Sequence, residues 1–195
     1  VALTVTLVSA PGSPSADAAP KIAAETWLPG PGDSAWHPLR FRSIENQTTY
    51  EVVTHAQGRP AYQSTSRCGA SAMLMELPEI LDLERTPRLA WRWRIDRGIL
   101  RDDERSKSGD DFAARVYVLF RFDSKRATRW QRIEHAIGAR WFGVAPPGET
   151  LTYVWGSREP VGATWTSAIR QEARIVVLET SSDSTSNEWR EAIVD

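Results

Sequence analysis

Two segments of the chain alternate strictly between apolar and polar residues, and this pattern limits the fold more than any other feature. In Arg88–Ile95, one set of alternate positions is apolar and includes two tryptophans, whereas the other set is mostly arginine. In Ala113–Phe122, alternate positions from Val116 to Phe122 are apolar and face one way. The positions that face the other way are Arg115, Tyr117, Leu119 and Arg121. Because successive side chains of a β-strand point to opposite faces, both segments predict strands with one face in a hydrophobic core.

Shorter segments rich in β-branched and aromatic residues, separated by turn residues, occupy much of the remaining chain. These predicted strands are Leu39–Ile44, Thr48–His55, Ala61–Ser66, Thr150–Trp155 and Arg174–Glu179. Residues 124–142 instead place Trp130, Ile133, Ile137 and Trp141 at helical spacing. Many short strands without a βαβ rhythm predict a mainly β protein, an antiparallel β-sandwich of jelly-roll type with one amphipathic helix.

Composition and charge exclude several classes of protein. The 195 residues suffice for one large core, and the formal net charge of -1 gives no global attraction to nucleic acid. A single cysteine, Cys68, excludes an internal disulfide framework and a multi-cysteine metal site. No apolar segment is long enough to span a membrane.

The start of the chain resembles an export signal. An apolar stretch, Val1–Val8, leads into a Pro/Ser/Gly-rich segment and then into small residues at Ala16 and Ala18, which is the pattern of a signal-peptidase site. We therefore expect residues 1–18 to be a signal-peptide remnant and the mature protein to be periplasmic or secreted. Residues 19–38 form a Pro/Gly-rich N-terminal segment, and residues 39–195 are predicted to form one sandwich domain.

Four strings of residues carry a resemblance to a known family. They are LAWRWRI (89–95), GDDFAARVYVLF (109–120), LTYVWG (151–156) and EWREAIVD (188–195). In this order they resemble the bacterial family called domain of unknown function 3047, whose members are typically predicted to be exported. The resemblance implies no catalytic residue. It also implies a further segment after the position of Asp195, so we expect either a truncated domain or a short member of the family.

The polar positions of the two alternating strands form the best candidate site. If the strands are neighbours, their arginines and Tyr117 share one face with the acidic pair that precedes the second strand, within reach of bidentate arginine–carboxylate pairing. Trp155 is added as an aromatic platform. The candidate ligand-binding residues are Arg92, Arg94, Asp110, Asp111, Arg115, Tyr117, Arg121 and Trp155.

Three functions remain open from the sequence. The first is a non-catalytic domain that binds a carbohydrate or another cell-envelope ligand on this face. The second is a glycan-active hydrolase or lyase that uses Asp110 or Asp111, although adjacent strand residues point to opposite faces. The third is a structural domain whose polar face is a lattice of salt bridges. No cofactor is expected; calcium at Asp110 and Asp111 is an alternative, and the scattered histidines do not indicate zinc.

Overall fold

The structure, a computed structural model, describes the main chain of residues 2–8 and, in full, residues 28–41, 44–54, 58–77, 87–125, 148–181 and 188–195. These residues form two compact units. The first comprises the described residues up to Ile95 together with residues 188–195, and the second comprises the described residues between 96 and 181. Within the described residues the chain is mainly β and contains no helix, which confirms the predicted class.

The first unit contains seven strands: β1 (Ala2–Val8), β2 (Trp36–Arg40), β3 (Thr49–Thr54), β4 (Pro60–Thr65), β5 (Ser71–Met75), β6 (Arg88–Arg94) and β11 (Arg190–Val194). Five of them form a sheet in the order β11-β6-β1-β4-β3, in which all neighbours are antiparallel. β2 and β5 form a separate antiparallel pair. The apolar start of the chain is thus a strand of this sheet, and it overlaps the predicted signal peptide. The rest of that predicted signal peptide, residues 9–18 with the cleavage pattern, lies outside the described residues.

Aromatic side chains make the core of the first unit. Trp91 and Trp93 are 1% and 0% exposed, and their rings meet edge to face with centroids 5.5 Å apart. Ile95 continues this buried row. The alternation predicted for Arg88–Ile95 is therefore confirmed, because the tryptophans face the core and Arg92 and Arg94 lie on the other face.

The second unit contains the strands β7 (Ala114–Leu119), β8 (Thr150–Gly156), β9 (Thr164–Thr166) and β10 (Ala173–Thr180). They form one sheet in the order β7-β8-β10-β9. A core of Phe112, Val154, Ile175 and Val177 packs against Trp165.

The second sheet corrects the prediction of a purely antiparallel fold. β8 pairs with β7 in the antiparallel sense but with β10 in the parallel sense. The reason is the path between them, since the chain reverses into β9, which is antiparallel to β10, and then reverses again. The predicted helix over residues 124–142 lies outside the described residues except for its first two positions, which form a turn.

We predict that Trp93→Ala lowers the free energy of unfolding by about 3–5 kcal/mol, because it removes the largest kind of side chain from a fully buried position. Val52→Ala is the matched control, since Val52 lies in the same sheet and is 52% exposed; its effect should stay within about 0.5 kcal/mol. Urea denaturation measures both. Similar losses for the two variants would contradict the assignment of Trp93 to the core.

Candidate functional site

The predicted site residues do not lie on one shared sheet face. Arg92 and Arg94 belong to β6 in the first unit, whereas Asp110, Asp111 and Arg115 belong to the second unit. Both edges of β6 are already paired, one with β1 and the other with β11. β7 is therefore not its neighbour, and the condition for one shared face is not met.

Arg92 and Arg94 instead converge on a tryptophan from another segment. Their guanidinium carbons lie 5.7 Å and 5.6 Å from the ring centroid of Trp189. All three residues are half-buried. We call this surface the Arg92–Arg94–Trp189 cluster.

Strand register explains how Trp189 reaches the two arginines. β11 is antiparallel to β6, with Glu191 opposite Arg92 and Arg190 opposite Trp93. Continuing the same register by one residue brings Trp189 to the position of Arg94. Residues opposite each other in a ladder lie on the same face of a sheet. The indole is consequently on the arginine face, away from the buried Trp93.

Stacking on an indole uses the flat face of a guanidinium and not the N–H groups at its edge. A guanidinium over an aromatic face gains about 0.5–1 kcal/mol at an exposed site and more when it is desolvated. Its N–H groups lie in the plane of the guanidinium and form a fork that matches a carboxylate or phosphate. The cluster thus combines fixed cationic groups with an aromatic surface.

The second unit uses its arginines differently, as Arg115 shows. Arg115 Nη1 donates to Asp110 Oδ1 at 2.7 Å, and Nη2 donates to the Asp110 carbonyl oxygen, also at 2.7 Å. The guanidinium also lies 4.8 Å from the ring centroid of Phe112, and Tyr117 Oη is 3.3 Å from Nη1. The Asp110 side chain is only 5% exposed. These contacts make Asp110 and Arg115 an internal pair that closes the loop before β7.

The two adjacent acids have separate partners. Asp110 Oδ2 accepts a hydrogen bond from Ser167 Oγ at 3.4 Å in addition to its bond from Arg115. Asp111 instead forms an ion pair with Arg101. Each of the two carboxylates therefore forms an ion pair with a different arginine. A pair of catalytic acids would instead face one glycosidic bond.

Two further predicted residues, Trp155 and Arg121, are not placed as expected. Trp155 is 2% exposed, so its ring is part of the core and the prediction of an aromatic platform there is wrong. It is buried because β8 is an interior strand with six of its seven residues buried. Arg121 is exposed and lies beyond the end of β7.

Glu104 is an important residue that the sequence did not reveal. It lies in a charged loop predicted to be exposed, yet it is 3% exposed. Its carboxylate accepts hydrogen bonds from the backbone N–H groups of Ser157, Arg158 and Glu159 at 2.6, 2.9 and 2.8 Å. Successive amides that converge in this way form an anion-binding nest, which is here filled by the protein's own side chain.

An exposed ion pair lies next to this nest. Arg105 donates to both carboxylate oxygens of Glu159, at 2.9 and 2.8 Å, and stacks 5.2 Å from the ring centroid of Trp165. The hydrogen bond and the charge of Arg105 hold the pKa of Glu159 below its ordinary value, against a smaller opposing effect of burial. The same pairing raises the pKa of Arg105.

The described part of the chain contains no cluster of side chains suited to metal binding. There, no three His, Cys, Asp or Glu side chains are grouped so that they could hold a metal ion. Asp110 and Asp111, the ligands of the calcium alternative, are the two acids paired with arginines above.

The fold and the site define a mainly β protein with an arginine and tryptophan surface and an internally paired second unit. Residues 34–195 match the family described as protein of unknown function DUF3047, and the chain belongs to this family, which confirms the resemblance of its strand motifs. Neither a curated protein nor a solved structure matches the chain. No helix among the described residues is long and apolar enough to cross a membrane.

We predict that Glu104→Gln lowers the free energy of unfolding by about 2–3 kcal/mol, because an amide donor replaces one oxygen of an acceptor that faces three backbone N–H groups. Asp102→Asn is the matched control: Asp102 is in the same loop, its side chain is 97% exposed, and its pair with Arg158 is on the surface. This control should change stability by less than about 1 kcal/mol. Chemical denaturation of both variants checks the prediction, which fails if Glu104→Gln is as stable as the control.

Proposed function

We propose that the protein is a non-catalytic binding domain for an acidic carbohydrate or a similar anionic ligand of the cell envelope. The Arg92–Arg94–Trp189 cluster is the ligand-contact surface in this proposal. The observation that carries it is the convergence of two guanidinium groups within 6 Å of one indole ring. A single strand supplies both arginines, and the neighbouring segment supplies the ring.

The chemistry of the cluster suits an acidic sugar. Arginine forks bind carboxylates through two parallel hydrogen bonds, and an aromatic ring offers a flat apolar surface to the C–H face of a sugar. Residues i and i+2 on a strand lie about 6.7 Å apart, so Arg92 and Arg94 present two cationic groups along one direction. A neutral sugar would use the ring but would bring no charge to complement the arginines.

The other functions fit the structure less well. The alternative of a structural domain with salt bridges fits the second unit, because Arg101, Arg105 and Arg115 each contact a carboxylate there. We propose a structural role for that unit. A hydrolase or lyase based on Asp110 or Asp111 has less support, because these acids are held by different arginines.

The cellular location and the fold type are part of the same proposal. We infer export to the periplasm or the exterior from the sequence pattern at the start of the chain, although the apolar stretch of that pattern forms β1 of the five-stranded sheet. A jelly-roll-like sandwich would suit a glycan-binding role, because the faces and loop ends of sandwiches provide concave surfaces. The near-neutral net charge of -1 argues against nucleic acid as the ligand.

We predict that the protein binds uronic-acid glycans on an array in preference to neutral glycans, and that Arg94→Ala reduces the signal by about tenfold or more, as loss of a charge-assisted bidentate contact requires. Arg88→Ala is the matched control, because Arg88 is on the same face of β6, lies outside the cluster and pairs with Asp195 at 3.1 Å. It should retain the full signal. Thermal unfolding confirms that each variant is folded. Absence of wild-type binding, or equal binding by a folded Arg94→Ala variant, would refute the proposal.

A further inference from the structure

We propose that the place of β1 between β4 and β6 is an acceptor slot, and that in the exported protein an extended strand of a partner protein fills it. The partner strand alternates large apolar residues with small polar ones. This inference rests on the export part of the proposed function, because removal of residues 1–18 would take β1 out of the sheet. It does not depend on the ligand of the Arg92–Arg94–Trp189 cluster.

β1 is an interior strand of the five-stranded sheet. It pairs with β6 along its whole length, from Ala2 to Val8. On its other edge it pairs with β4, at Ala2 and Leu3. In the order β11-β6-β1-β4-β3, it is therefore the strand that joins two antiparallel pairs, β11 with β6 and β4 with β3.

Loss of β1 would leave a gap the width of one strand. Neighbouring strands lie about 4.8 Å apart, so β4 and β6 would stand about 9.6 Å apart, with the N–H and C=O groups that now pair with β1 left unpaired. Strand edges of this kind are templates for pairing with another chain. The gap therefore has the width and the hydrogen-bonding groups for one extended strand.

The residues that border the slot determine which side chains the strand must carry. Tyr62 of β4 and Trp93 of β6 both lie opposite Leu3, so they share one face, and they are buried together with Trp91. The other face of β6 carries Arg92, which is half-buried. A strand in this register needs apolar residues beside the three aromatic rings and accepts polar residues beside Arg92.

The sequence of β1 has this pattern. Leu3 and Val5 stand opposite the two tryptophans, and Thr4 stands opposite Arg92. An added strand gains its affinity from main-chain hydrogen bonds and its specificity from alternate side chains. β1 is thus a model for the chemistry of the partner strand that replaces it.

Strand exchange into the full chain tests the inference. A site for a sequence-specific protease is inserted after Ala18, the folded chain is cut, and a fluorescent peptide of residues 1–8 is added in excess. Fluorescence anisotropy should show that the cut chain binds the peptide. The uncut chain should bind at least about tenfold less, because its tethered β1 competes at an effective concentration of about 1 mM. Refolding the cut chain from urea with the peptide present removes slow exchange as a cause of a negative result.

Two charged peptides are the matched controls. The peptide with Leu3→Asp and Val5→Asp places acids opposite the buried tryptophans and should bind at least about a hundredfold more weakly. The peptide with Ala2→Asp and Thr4→Asp has the same charge but places it opposite the arginines of β6. It should bind within about threefold of the unchanged peptide, because opposite charges across a ladder do not oppose pairing.

The outcomes separate this inference from the proposed ligand. Failure of the cut and refolded chain to bind the unchanged peptide, or equal binding of the two charged peptides, would overturn the slot. N-terminal sequencing of the secreted protein that finds residues 1–8 retained would overturn the partner strand. A chain that binds the peptide but no glycan keeps the slot and refutes the ligand proposal, and the reverse result refutes the slot alone.

Discussion

The burial of Trp91 and Trp93 on one face of β6 is the constraint on which the candidate site depends. Two indole rings that are almost fully enclosed fix the orientation of the strand, because a shift of one residue would exchange its two faces. Arg92 and Arg94 must then share the opposite face. Pairing with β11 adds Trp189 and Glu191 to that face through the same register. The core and the candidate ligand surface are thus two consequences of one alternating strand.

The second unit shows how buried charges are compensated within the fold. Glu104 is fully enclosed and compensated by three backbone amides, and Asp110 is enclosed and compensated by Arg115 and Ser167. Burial of a carboxylate is costly unless such partners are present. These contacts bind the loop before β7 to the turn after β8 and to the turn before β10. The charges of this unit act within the fold.

Local features of the structure could be predicted from the sequence, whereas long-range ones could not. Alternation with a period of two is a property of the strand itself, so β6 and its two faces were predicted correctly. The neighbours of β6 depend on segments far away in the chain, and the sequence carries no signal that selects β1 and β11 over β7. Trp155 was misjudged because it ends a predicted strand, where an aromatic ring could serve as a ligand platform, although β8 is an interior strand with six of its seven residues buried. Glu104 reaches amides 53 to 55 residues away, and a single acid in a charged loop gives no sign of this.

The most direct test of the account is to locate the bound ligand by NMR. Indole Nε1–H and arginine Nε–H signals are followed during titration of the labelled protein with short oligogalacturonates. The account predicts progressive shifts of the Trp189, Arg92 and Arg94 signals, with the Arg101 and Arg115 signals unchanged. Shifts confined to Arg101 and Arg115, or no shift of the Trp189 signal at a saturating concentration of ligand, would contradict it.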